Sequence, residues 1–217
     1  MKRLIATISM ALFLGGCPPE TEDTDTTEPV NLEGATYRLS TGNLTVPGAD
    51  QGMNDLLKLF FIRTLIIQFH NVTDSAATIR LAFVEENSDP LVQDPCMETI
   101  EFPEGTRDEL TVEIGPTDVS FDGADVEDLH MTATVSTKGT RIDEIVIESV
   151  IDLRQAESFG FGTAQDLCES TEGYGVPCQK CDDNSKTCLD LTIEGLTANE
   201  AEVEIEVITS IPNSCND

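Results

Sequence analysis

Between Ala201 and Ile211 apolar and acidic residues alternate one for one: Ala201, Val203, Ile205 and Val207 against Glu202, Glu204 and Glu206. A period of two marks a half-buried β-strand, one face dry and one wet. The pattern predicts Val203, Ile205 and Val207 in the core and the three glutamates in water. The same period, less strictly kept, recurs in "ATIRLAFVEE", where Ile79, Leu81 and Phe83 share a face, and in "METIEF" and "ELTVEIG". "LHMTATVSTKGTRIDEIVIESVIDL" reads as a hairpin turning at Lys138-Gly139, and "CLDLTIEGL" as a short strand. "GATYRLSTGNLTV" reads as strand pieces around a Thr-Gly-Asn turn.

One stretch keeps a different period. Pro47-Gly48 breaks the chain, Asp50 can cap a helix, and Met53, Leu56, Leu57 and Phe60 follow at the offsets of one helical face. From Thr64, "TLIIQFHNV" returns to a strand rich in β-branched residues. "LLKLFFIRTLIIQF" is the greasiest part of the chain after the leader. It is too short for a membrane span and is interrupted by Lys58, Arg63 and Gln68, so it is assigned to the core. Roughly eight to ten short strands with one helix, about residues 50–63, predict a mainly β fold: an antiparallel barrel or sandwich. Helices do not alternate with strands, which argues against a parallel α/β sheet.

Past Leu153 the patterning loosens, and a Cys-rich loop, about residues 160–188, carries Cys168, Cys178, Cys181 and Cys188. With Cys96 and Cys215 the folded part holds an even set. Three bridges are expected, local pairs within the loop and Cys96 with Cys215, although spacing alone permits 15 connectivities. The alternatives are weaker. Cys178-x-x-Cys181 lacks the βαβ setting of a redox pair. A four-Cys zinc site conflicts with an oxidising compartment. Asp182, Asp183 and Asn184 offer oxygens to calcium, but the mid-loop glycine of an EF-hand is replaced by Cys188. No metal and no cofactor are expected.

The N-terminus places the chain. Lys2 and Arg3 precede an apolar run from Leu4 to Leu14 that is too short to span a bilayer and ends on small residues, the anatomy of a secretory signal. Leu14-Gly15-Gly16-Cys17 resembles the lipobox of bacterial lipoproteins. The resemblance implies a diacylglyceryl thioether on Cys17, cleavage before it, and anchoring by palmitate-type chains. Pro18 stands where Asp would favour the inner membrane in enteric-type sorting, so the outer membrane is the expected address. Pro18 to Glu33 is dominated by Thr, Glu, Asp and Pro and cannot bury enough apolar surface to offset its ordering entropy. The expected organisation is a leader over 1–16, a lipidated Cys and acidic tether over 17–33, and one β-rich domain over 34–217.

Charge narrows the partners. Losing Lys2 and Arg3 with the leader leaves 10 basic residues against 41 acidic, a formal charge of −31. Such a polyanion repels nucleic acid and anionic headgroups, so membrane contact is expected through the lipid alone. Trp is absent and aromatics are 5%, which disfavours a stacking platform for sugars. His70 and His130 both fall in strand contexts, and no nucleophile elbow, zinc-protease, P-loop or dinucleotide motif occurs. The expected function is non-enzymatic binding or scaffolding at the cell envelope, with a protein partner or an apolar ligand. Gly34-x-x-Tyr37 resembles the Gly-x-Trp opening of lipocalin-type carriers of apolar ligands. The Trp is missing, so no residue role is carried over. A carrier of that kind, or a secreted hydrolase with carboxylates too numerous to single out, stands as the alternative.

Overall fold

The computed structural model describes residues 30–215 apart from 61–62, 87, 122–123, 156 and 158–161. The leader, Cys17 and the tether as far as residue 29 lie outside the described residues. In chain order the elements are β1 (Thr36–Ser40), α1 (Gln51–Phe60), β2 (Leu65–His70), β3 (Ala76–Phe83), β4 (Ile100–Glu101), β5 (Gly105–Asp108), β6 (Thr111–Phe121), β7 (Ala124–Val135), β8 (Arg141–Asp152), α2 (Ala164–Gly173) and β9 (Cys188–Glu200). Every strand pairing is antiparallel, and β2–β3 contacts close the sheet on itself. Leaving out the two-residue β4, which lies alongside β3, the eight remaining strands follow one another around the ring in sequence order. The fold is therefore a closed up-and-down barrel, the barrel alternative of the sequence expectation.

Closure disposes of the unpaired edges that would otherwise template aggregation. The inward positions make one continuous core, including Tyr37, Phe69, Val112, Ile114, Ile142, Ile145 and Leu196. These seven have 0% exposure, so no water-sized void lies against them. The Tyr37 ring meets Phe69 edge-on at 5.8 Å between centroids, and its hydroxyl donates to the Gly139 carbonyl at 2.7 Å.

The barrel is uneven. β1 joins β9 only through Thr197–Glu200, leaving the first part of β9 paired with β8 on one side. Residues 41–50 run along that free edge: Thr45 and Glu194 exchange backbone hydrogen bonds at 2.9 Å in both directions. The crossing is close. Gly195 has φ +73, and a Cβ there would stand 2.1 Å from the Asn43 carbonyl oxygen. The β8–β9 register slips by one residue at this point, a glycine bulge that re-aims the strand.

α1 forms where the spacing predicts it. Asp50 Oδ1 accepts from the Gly52 amide at 2.7 Å, an N-cap. Met53 and Leu57 enter the core with Leu189, Leu191 and Ala164. Buried Asn54 accepts from the Val46 amide at 2.9 Å. The described helix runs Gln51–Phe60, residues 61–62 are not described, and Arg63 and Thr64 are not helical, so the expected end at 63 is not met.

Three further features differ from the sequence expectation. First, the Cys-rich loop contains a second helix, α2, opened by a Thr163–Asp166 capping box. Second, the N-terminal boundary moves. Leu32 is wholly buried, and Glu33 accepts from the Val72 amide at 2.7 Å, so residues 30–33 belong to the folded body and not to the tether. Third, the alternating segment 201–211 is not a strand of the sheet.

That segment leaves β9 at Glu200 and turns back over the outside of the barrel. Ile205 packs with Ile66, Ala82 and Val84 in a separate outer cluster, with Val203 and Leu91 beside it. Val207 is 44% exposed instead of buried. Its neighbours are held by side chains: Gln93 and Thr99 bond to the backbone of Glu206 and Ile208. Cys96–Cys215 then fastens the end. All six residues of β2 are buried: Ile67 and Phe69 face the barrel core, and the strap covers Ile66.

Candidate functional site

The six cysteines of the folded part pair as Cys96–Cys215, Cys168–Cys178 and Cys181–Cys188. Asp152 approaches Cys181 and Cys188 closely enough to resemble a metal cluster, but both sulfurs are committed to a disulfide. Asp152 accepts from the Thr187 hydroxyl at 3.1 Å and is paired with Arg154. Arg154 bonds above all to Asp152, which holds that carboxyl below its ordinary range, and reaches Asp183 at 2.7 Å. Asp183, proposed by its sequence setting as an oxygen donor, is held down to about 2 chiefly by the Ser185 hydroxyl and amide. Together these contacts brace the Cys-rich connection.

The two histidines lie apart in the barrel wall. On β7, His130 stands between β6 and β8, with Nε2 2.8 Å from Glu113 Oε1 and Nδ1 3.1 Å from Glu148 Oε2. The two carboxylates hold its pKa above the ordinary 6.5, Glu148 first and Glu113 second. At the end of β2, His70 is buried beside Arg80 and 3.7 Å from Glu101. Burial, then Arg80, pushes its pKa down. Neither ring is paired with a hydroxyl or thiol among the described residues.

A recess lies where β1 and β2 part. These strands pair through Thr36–Arg38 and Ile66–Gln68 and then separate. Between Leu39–Gly42 on one side and Arg63–Leu65 on the other the gap forms an open cavity of about 440 Å³, which Asn199 of β9 completes opposite Arg38. Arg63 is anchored: it pairs with Asp94 and lies over the Phe83 ring, 5.0 Å from the centroid. Its Nε is buried without a hydrogen-bond partner among the described residues. Arg38, Ser40, Thr41, Thr64 and Asn199 make no side-chain hydrogen bond among the described residues. None of the described lining residues is acidic, in a chain with 41 Asp and Glu.

Sequence reasoning did not single out this group. Its members are scattered from Arg38 to Asn199 and form no linear motif. The available signal was charge scarcity: only 10 cations follow the leader, so a guanidinium without an acidic partner is conspicuous. The recess opens at the α1 end of the barrel. Residues 30–35 are at the other end, where Arg107 donates to the carbonyls of Val30 and Thr73 at 3.0 Å.

Fold and recess together define a class: a disulfide-braced, closed eight-stranded barrel with a packed interior and its open polar groups outside. No protein-family model matches the chain, and neither the curated proteins nor the solved structures contain a significant match.

Proposed function

We propose that this chain is a non-catalytic binding module of the cell envelope, anchored by acyl chains on Cys17 and held off the membrane by an acidic tether. The observation that carries the reading is the packed barrel. Tyr37, Phe69, Ile114, Ile142, Ile145 and Leu196 occupy the space where a lipocalin-type carrier would hold its apolar guest. Whatever the module binds, it binds outside.

Three disulfides fit an oxidising compartment. Among the described residues no helix is long and apolar enough to cross a membrane. A single chain binds reversibly, whereas two or three on one residue hold a soluble domain durably. Thirteen residues of the acidic stretch, Cys17 to residue 29, separate the lipid from the described body. This stretch joins the body at the end opposite the recess. The outer membrane is the address that Pro18 favours.

The test is metabolic labelling with palmitate, followed by detergent-phase partition. Wild type takes up label and enters the detergent phase, while Cys17→Ser does neither and stays aqueous or unprocessed. Partition unchanged by the substitution would refute anchoring at Cys17.

A further inference from the structure

We infer that the recess between β1 and β2 binds a small hydroxylated monocarboxylate, of the sugar-acid class, through Arg38 and Arg63. The inference rests on the binding-module reading and names its ligand chemistry.

Charge decides the class. Two arginines line the recess, and Asp94 neutralises one of them through its pair with Arg63. The remaining positive charge matches one carboxylate better than a phosphate dianion. A guanidinium presents a planar fork of donors that fits a carboxylate bidentately. Arg38 has that fork free among the described residues, and the Asp94 pair holds Arg63 in place beside it.

The remainder of the lining suits hydroxyl groups. Ser40, Thr41 and Thr64 can each donate or accept, and Asn199 can do both at once. Their side chains have no partner among the described residues, so a ligand would replace water and not break a described bond. Leu39 and Leu65 supply small apolar patches, and no aromatic ring is among the described lining residues. The described lining offers hydrogen bonds and charge. A cavity of about 440 Å³ is at the small end of ligand pockets, the size for a single ring. The negative charge of the whole chain opposes an anion at long range. At physiological ionic strength the screening length is about 8 Å, and only the local, carboxylate-free lining acts strongly.

The experiment is a heteronuclear NMR titration of the folded domain at constant ionic strength and pH 7, with D-glucuronate, D-glucose and inorganic phosphate as probes. Glucuronate is expected to shift Arg38, Thr41, Thr64 and Asn199 signals saturably, at one site per chain. Glucose and phosphate should bind at least about tenfold more weakly. Arg38→Gln should weaken glucuronate at least about tenfold, with Arg38→Lys retaining part of the affinity. Arg38 is exposed and has no side-chain partner among the described residues, so the Gln variant should keep the wild-type spectrum elsewhere. Thr64→Val supplies a second variant, expected to weaken glucuronate several-fold. No saturable shift with glucuronate, equal shifts with glucose, tighter binding of phosphate, or an Arg38→Gln variant that binds like wild type would each overturn the inference. None of these results would alter palmitate labelling at Cys17, so failure here is distinct from failure of the anchoring reading.

Discussion

His130 lies between two carboxylates from neighbouring strands, and His70 is enclosed beside an arginine. The same residue type is thereby driven in opposite directions. Titration followed by NMR, with His130→Gln and His70→Gln for assignment, should place His130 above the ordinary 6.5 and His70 below it; the reverse order would contradict the described surroundings. The stability consequences also oppose. With its folded pKa raised, His130 contributes stability that is full below about pH 6.5 and is lost as pH rises through the folded value. His70, with its folded pKa lowered, contributes above about pH 6.5 and loses that contribution as pH falls through its folded value. Because the His130 pairs are partly open to solvent, each is expected to contribute about 1 kcal/mol or less.

Glycine requirements are equally local. Gly195→Ala must place a left-handed alanine against the Asn43 carbonyl, whereas Gly48, also at positive φ, has nothing within 4 Å of a Cβ. Denaturant unfolding should show a cost of about 1 kcal/mol for Gly48→Ala and at least about 2 kcal/mol for Gly195→Ala. Equal costs would mean that residues 41–45 do not lie against β9. Neither histidine's surroundings could be read from sequence, since Glu113, Glu148 and Arg80 become neighbours only through strand register. Gly195, too, looked like an ordinary strand end.

At the scale of elements, alternation was legible and its destination was not. A segment with one apolar face satisfies the same pattern whether it joins a sheet or lies across the outside of one. What decides for 201–211 is the partner surface: Ile66, Ala82 and Val84 form an apolar patch on the barrel's exterior that only a strap can cover. The clue was in "LIIQFH", too continuously apolar for a strand with one wet face. α1 was readable because capping and spacing agreed. α2 was not, since it buries only Ala164 and Thr171, although Thr163 and Asp166 stand at capping-box spacing.

The strap makes a prediction that a core strand would not. Ile205→Ala should cost about 2–5 kcal/mol through transfer and cavity terms. Glu204→Gln and Val207→Ala should each change stability by less than about 0.5 kcal/mol, because both side chains face solvent. Chemical denaturation of the three variants measures this, and a Val207→Ala cost near that of Ile205→Ala would return the segment to the core.

Across the whole molecule, a long-range bridge and two local ones close loops that the denatured chain would otherwise leave free. Cys96–Cys215 spans 119 residues, and the two local bridges span 10 and 7. On the chain-entropy view the long bridge contributes most, roughly 4–5 kcal/mol. A thiol assay under denaturing, non-reducing conditions should find no free cysteine in the folded domain; two or more reactive thiols would contradict the pairing. At this scale the sequence spoke clearly about export, strand content and bridge count. It was silent on the packed interior and on the Arg38–Arg63 recess, which depend on how eight strands close around one another.

The most direct test of a lipid-anchored module with a packed barrel is native mass spectrometry of the protein released from membranes in mild detergent. The expected species begins at Cys17, carries acyl mass on that residue, is lighter by the six hydrogens of three disulfides, and holds no apolar small molecule. Cys17 without acyl mass, or one apolar guest retained per chain, would contradict it.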